Sequence, residues 1–189
     1  IVHRAAEQIF MPFTVGGGVR TLDDFRRLLC SGADKVSVNT AACEDPSLMT
    51  RAADAFGAQC VVLSIDYRYD NEGKARVFTQ GGNKDVGLDP IEWAIEAEKR
   101  GAGEILLTSI DRDGTRQGLD TELVKVLCSV VSIPIVCAGG CGKAKHFVEG
   151  FKAGADGVAA GTYFCFKDEN IMQTRAQIKN AGVPIRIHT

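Results

Sequence analysis

Pro12-Phe13-Thr14-Val15-Gly16-Gly17-Gly18-Val19-Arg20 decides the fold, because a second version, Pro134-Ile135-Val136-Cys137-Ala138-Gly139-Gly140, starts 122 positions further on. The match continues without a gap. Phe25 faces Phe147, Gly32-Ala33-Asp34 faces Gly154-Ala155-Asp156, Val36 faces Val158, and Thr40 faces Thr162. Each unit reads as strand, glycine turn, helix, short turn, strand. Self-similarity over roughly 30 residues limits the architecture before any single motif does.

The same order recurs outward along the chain. Short apolar strands are expected at about 13–16, 35–38, 60–65, 104–109, 134–137 and 157–160. They alternate weakly, as strands buried on both faces do. Helices lie between them. Thr21 is a helix N-cap with Asp23 and Asp24 in the first turn, Asp89-Pro90 opens the helix through Trp93, and Gly32 and Gly101 close helices. Residues 1–10 read as a helix ended by Pro12, and 168–181 as the last helix. Ala75–Thr79 reads as a small hairpin strand between the turn signals Asn71-Glu72-Gly73 and Gly81-Gly82-Asn83.

Strict alternation implies parallel strands with right-handed crossovers. Polar residues and glycines gather after the strands' C-terminal ends, which is how a (β/α) barrel presents its site. A doubly wound sheet is the competitor, but neither Gly16-Gly17-Gly18 nor Gly139-Gly140-Cys141-Gly142 fits its Gly-x-Gly-x-x-Gly turn. The expected fold is α/β, of the (β/α)8 TIM-barrel family. It is an incomplete barrel of about six βα units with parallel strands, one partial domain over residues 1–189.

Composition narrows the function. Hydrophobic residues at 45% and charged residues at 24% fit a globular domain with a substantial core. A formal charge of -2 gives no polyanion-binding surface, so no nucleic-acid partner is expected. No apolar run approaches the roughly 20 residues of a membrane span. The start, Ile1-Val2-His3-Arg4, has no apolar leader, so the expected location is cytoplasmic, away from membranes. Seven cysteines without a Cys-x-x-Cys pair read as small buried thiols in a reducing compartment. His3, His146 and His188 read as surface residues. No metal-ligand or Ser/His/Asp constellation stands out, and no metal or cofactor is expected.

The chemistry sits at the glycine turns. Without Cβ atoms, backbone at Gly17-Gly18 and Gly139-Gly140 can approach a phosphate beside a helix N-terminus. Asn39-Thr40 and Gly161-Thr162 follow the next strand in each copy and would lie alongside. That makes one phosphate-sized site per repeat and suggests a substrate phosphorylated at both ends. The plainer alternative, glycines that only permit tight turns, explains one copy better than two matched ones. Asp66 stands at the end of an apolar strand, where general acid–base work gives a carboxylate a reason to be. Asp111 and Asp113 flank Arg112 near the mouth, or hold that loop.

Thr14-Val15-Gly16-Gly17-Gly18, the run Asp34 to Ala41 and above all Thr108-Ser109-Ile110-Asp111-Arg112-Asp113-Gly114-Thr115 resemble the cyclase subunit of imidazole glycerol phosphate synthase. The related isomerase of that pathway shares the phosphate turns but not this last loop. The resemblance implies a (β/α)8 barrel of two similar halves, using ammonia from a glutaminase partner. It would convert a doubly phosphorylated ribulosyl nucleotide precursor into imidazole glycerol phosphate and an aminoimidazole carboxamide ribotide. By this resemblance Asp66 is a catalytic aspartate. Gly18, Asn39 and Thr40 hold one phosphate; Gly114, Gly140, Gly161 and Thr162 hold the other. Thr108, Asp111 and Asp113 line the pocket, and Lys35 and Glu104 belong to the ammonia gate.

The family begins with two further βα units, and its first strand carries a second catalytic aspartate. This sequence resembles strands three to eight. Six strands do not close an eight-stranded barrel of the usual shear. Open edges are expected near Phe13–Val15 and Gly157–Ala160, hence self-association into a homo-oligomer. Turnover by this chain alone is expected to be impaired by orders of magnitude. The alternative is a non-catalytic truncated barrel fragment that self-associates and binds phosphate. A nucleotide or flavin module would use only one of the two anion sites.

Overall fold

A computed structural model describes residues 1–165 and 170–185. The expected start of the last helix and His188 lie outside the described residues. In chain order the elements are α1 (Val2–Ala6), β1 (Thr14–Gly16), α2 (Leu22–Cys30), β2 (Lys35–Val38), α3 (Thr40–Glu44), α4 (Ser47–Phe56), β3 (Val61–Tyr69), β4 (Ala75–Thr79) and β5 (Lys84–Asp85). There follow α5 (Pro90–Lys99), β6 (Glu104–Ser109), α6 (Thr121–Val130), β7 (Ile135–Ala138), α7 (Ala144–Lys152), β8 (Gly157–Val158), α8 (Gly161–Cys165) and α9 (Ile171–Asn180).

The sheet runs β1-β2-β3-β6-β7-β8, all neighbours parallel. The hairpin strands β4 and β5 add antiparallel beside β3. Chain order is strand order, with helices returning the chain between strands. This is a six-stranded partial TIM barrel whose outer strands, β1 and β8, are unpaired edges among the described residues.

Burial alternates along the strands more sharply than the apolar runs suggest. Val36, Val38, Leu63, Ile65, Ile105, Leu107, Ile135 and Cys137 are buried and pack under the helices. Their neighbours Lys35, Ser37, Ser64, Asp66, Glu104, Leu106, Thr108, Val136 and Ala138 are half-buried. The register sets this second group on one face, with Ser64 beside Leu106 and Asp66 beside Thr108. That face is the concave side, open because among the described residues no opposite strands fill it.

Local signals explain several boundaries. Thr21 and Asp24 form a reciprocal capping box at the start of α2. Asp89 caps α5 by accepting from the Ile91 and Glu92 amides at 2.7 and 3.2 Å, ahead of Pro90. Other expectations need correction. The first helix is only Val2–Ala6, and Cys60 belongs to a short 3-10 turn, not to β3. β3 runs on to Tyr69 because β4 pairs with its second half, Asp66 opposite Phe78 and Tyr69 opposite Ala75. Asp66 therefore stands inside a strand, not at its end. Of the seven thiols only Cys137 and Cys141 are fully buried, and Cys30 and Cys165 are exposed. No helix among the described residues is long and apolar enough to cross a membrane.

Candidate functional site

The strands' C-terminal ends carry two cavities, one per repeat. The larger, about 650 Å³, is lined by Gly17, Gly18, Asn39, Thr40, Ser64 and Asp66, with Gln80 and Gly81 of the hairpin turn. The smaller, about 90 Å³, is lined by Asp113, Gly114, Gly139, Gly140, Gly161 and Thr162. The structure thus brings the expected phosphate-site residues together in two groups, with Asp66 in the first and Asp113 in the second, while Thr108 lines neither cavity.

Asp66 is held from three sides. Its Oδ2 accepts from Asn39 Nδ2 at 2.9 Å and its Oδ1 from Ser64 Oγ at 3.2 Å, and Thr108 on β6 bonds it as well. Burial pushes the Asp66 carboxyl above the usual range; the bonds from Ser64, Asn39 and Thr108 pull it part of the way back. A carboxyl raised by burial, yet facing a cavity, suits taking and returning a proton.

Asn39 is more engaged than its expected phosphate role implies. Its second amide hydrogen goes to the Phe78 carbonyl at 3.2 Å, while its own Oδ1 is buried without a partner. The side chain orients Asp66 and ties β2 to β4, a role that spacing along the chain does not reveal. Thr40 Oγ1 accepts from the Gln80 amide at 3.1 Å, which fixes the hairpin turn over the cavity. Gln80 takes φ of 55° to reach it.

The glycines serve differently in the two repeats. Gly17 and Gly18 have φ of 95° and 71°, and a Cβ on either would meet nothing within 4 Å. Their backbone borders open space. In the second repeat a Cβ on Gly139 would sit 2.4 Å from the Ser109 oxygen, and one on Gly140 2.2 Å from the Gly118 oxygen. The Gly118 amide donates to the Gly140 carbonyl at 2.8 Å, so turn and loop meet backbone to backbone.

Asp111 is not in either cavity lining. It pairs with Arg68 of β3 at 3.3 Å, and the Arg68 guanidinium lies 5.4 Å from the Phe78 ring centre. Lys35 and Glu104 pair directly, although β3 separates their strands. Both are first residues of their strands, so this pair sits at the opposite end of the concavity from Asp66.

His146 corrects the surface reading. It is only 7% exposed, and its Nδ1 accepts from the Gly142 amide at 3.0 Å. The repeat held the signal. His146 stands 122 positions after Asp24, whose Oδ2 accepts from the Arg20 amide at the same 3.0 Å. Among the described residues no group of three or more His, Cys, Asp or Glu side chains is placed to hold a metal.

A family model described as histidine biosynthesis protein matches residues 1–170. The imidazole glycerol phosphate synthase subunit HisF of Gluconacetobacter diazotrophicus is 51% identical over 189 residues, covering 100% of this chain and 73% of that relative. The protein of the same name from Endomicrobium trichonymphae is 47% identical over 186 residues, 98% of this chain and 72% of its own.

Proposed function

The chain belongs to the histidine biosynthesis protein family, and on that premise we propose that it performs the cyclase step of imidazole glycerol phosphate synthase. The substrate is a doubly phosphorylated ribulosyl nucleotide precursor, and ammonia comes from a glutaminase partner. The products are imidazole glycerol phosphate and an aminoimidazole carboxamide ribotide. The setting is the cytoplasm.

The observation that carries this reading is the placement of Asp66. It is a half-buried carboxyl of raised pKa, on the same face as two repeat-related glycine cradles. Gly18 and Thr40 take one phosphate, with Asn39 holding Asp66 in line. Gly114, Gly139, Gly140, Gly161 and Thr162 take the other. Asp66 moves the proton, Thr108 steadies it, and Asp113 borders the second phosphate. Asp111 closes the mouth through Arg68. The Lys35–Glu104 pair at the far end of the concavity gates ammonia.

The test measures ammonia-dependent turnover alongside phosphate binding. Asp66→Asn is expected to abolish turnover and leave phosphate binding intact. Turnover that survives the substitution overturns the acid–base role. Phosphate binding without turnover in the unaltered chain favours the non-catalytic fragment instead.

The sheet edges support self-association as a second part of the reading. Phe10 and Met11 stand exposed just before β1, and Phe164, Ile171 and Met172 lie exposed in α8 and α9, which follow β8. A second copy is the partner that two such edges of one chain would fit. Analytical ultracentrifugation is expected to show a dimer or larger species, and a monodisperse monomer removes this part.

A further inference from the structure

Strand β3 uses both of its faces. Asp66 looks into the concavity. Tyr67 and Tyr69, out of step by one residue, look the other way. Both phenols donate to one oxygen: Tyr67 OH to Asp120 Oδ2 at 2.8 Å, and Tyr69 OH to the same atom at 2.7 Å. Asp120 is 7% exposed, and its Oδ1 accepts from the Leu123 amide at 3.4 Å, capping α6. The two rings cross edge to face at 5.9 Å. Burial and the neighbouring carboxylate push both phenols up, Tyr69 to about 12, so they remain protonated donors.

Asp120 closes the segment 110–119, which carries Asp113 and Gly114 of the second cradle. The Ile110 amide donates to the Tyr67 carbonyl at 3.0 Å. The segment is therefore anchored to β3 at both ends, by the Tyr67 backbone at its start and by two phenols at its finish. Arg112 braces it from within, its Nη1 donating to the Gly118 and Leu119 carbonyls at 3.3 and 3.4 Å. Gly118 passes the constraint to the Gly140 turn. An apolar contact could have held these elements together. A buried carboxylate costs stability unless it is bonded, and its charge-assisted bonds add a fixed direction.

We propose that Asp120, with Tyr67 and Tyr69, is a positioning unit that fixes the second cradle relative to Asp66, and so sets the length of doubly phosphorylated ligand the site accepts. The proposal rests on the phosphate reading of the cradles. The same strand holds the reacting carboxyl on one face and the ruler on the other.

The test follows the Gly18 and Gly140 backbone amides by NMR while inorganic phosphate is added. In Tyr67→Phe/Tyr69→Phe the rings stay and the hydroxyls go. Phosphate binding at Gly140 is expected to weaken about fivefold or more, with Gly18 unchanged. Tyr69→Phe alone, at the more exposed ring, gives a smaller change in the same direction and serves if the double variant does not fold. A second arm titrates alkanediol bisphosphates of graded chain length. The unaltered protein is expected to favour one length, and the variants to lose that preference. Unchanged Gly140 affinity, an unchanged length preference, or equal weakening at both amides overturns the positioning role. No response at Gly140 in the unaltered protein overturns the cradle reading and the proposal with it.

Discussion

Asp34 and Asp156, 122 positions apart, make the same contact in the two repeats. Asp34 Oδ2 accepts from the Phe13 amide at 2.7 Å, and the Asp34 amide donates to the Phe13 carbonyl at 2.9 Å. Asp156 Oδ2 accepts from the Ile135 amide at 2.9 Å, and its amide returns a bond to the Ile135 carbonyl at 2.9 Å. Each aspartate latches the start of one strand to the start of the next. Gly32 and Gly154, two residues before them, take φ of 99° and 108°. The repeat is thus a repeat of bonds as well as of letters.

Because the latches lie at opposite ends of the sheet and share no partner, their losses should add. Asp34→Ala and Asp156→Ala are each expected to cost about 1 kcal/mol, the net value of a hydrogen bond. Urea unfolding followed by the fluorescence of Trp93, the single tryptophan, measures this. A double variant that loses no more than either single would show that the two latches are not independent.

The glycine turns should respond unequally. Gly18→Ala meets no atom and suffers only its positive φ, about 1 kcal/mol. Gly140→Ala adds a collision with the Gly118 carbonyl, so it should cost clearly more and displace the 110–118 loop. Thermal unfolding of the two variants side by side decides the order, and equal losses would refute it.

Much of this molecule was legible in its sequence, and the gaps have physical causes. The match of roughly 30 residues at an offset of 122 positions shows in the letters alone, and the Thr21 and Asp89 caps and the Ala75–Thr79 hairpin strand are local patterns that appear where the sequence puts them. The length of β3 was not legible, because residues 66–69 are held in strand by β4, a partner set by tertiary pairing. Its place on a helix pattern put His146 at the surface, although its counterpart Asp24 marks a helix-start acceptor. The grouping of the cradle residues followed from strand order. The Asn39 amide turned onto Asp66, and the Tyr67–Asp120 bond across 53 positions, depend on side-chain geometry that spacing does not carry.

Asp66 should lower stability at neutral pH. Its folded pKa is raised, so the folded state holds the proton more tightly than the unfolded chain, whose value lies near 3.8. Stability therefore falls as pH rises from about that value through the higher folded pKa, and levels off beyond it. Asp66→Asn escapes this loss. Its melting temperature should exceed the parent's at neutral pH and converge with it in acid. A variant less stable than the parent at neutral pH would contradict the burial argument.

The thiols should separate by exposure. Burial pushes Cys43 up to about 11 and Cys137 and Cys141 up to about 12, so these three present almost no thiolate at neutral pH. Cys30 and Cys165 are exposed. A thiol reagent followed by peptide mass mapping is expected to label Cys30 and Cys165 first, with Cys137 and Cys141 reacting only on unfolding. Early labelling at Cys137 would mean that the helix layer opens readily over β7.

His146 offers a way to exchange the two repeats' chemistry. In the first repeat the Asp24 carboxylate accepts from the Arg20 and Thr21 amides, each at 3.0 Å, and so neutralises the start of α2. In the second an imidazole nitrogen takes the equivalent bond from Gly142 and adds no negative charge beside the Gly139–Gly140 turn. His146→Asp keeps an acceptor for Gly142 but introduces a carboxylate next to a site read as binding phosphate. His146→Ala removes the acceptor and should cost about 1–3 kcal/mol, the penalty for an orphaned buried amide. The aspartate variant should be the more stable of the two, yet bind inorganic phosphate at Gly140 more weakly than the alanine variant, because only it adds repulsion. Thermal unfolding and phosphate titration of the pair separate the two effects. Equal or tighter phosphate binding by His146→Asp would show that the helix start contributes nothing to holding the anion.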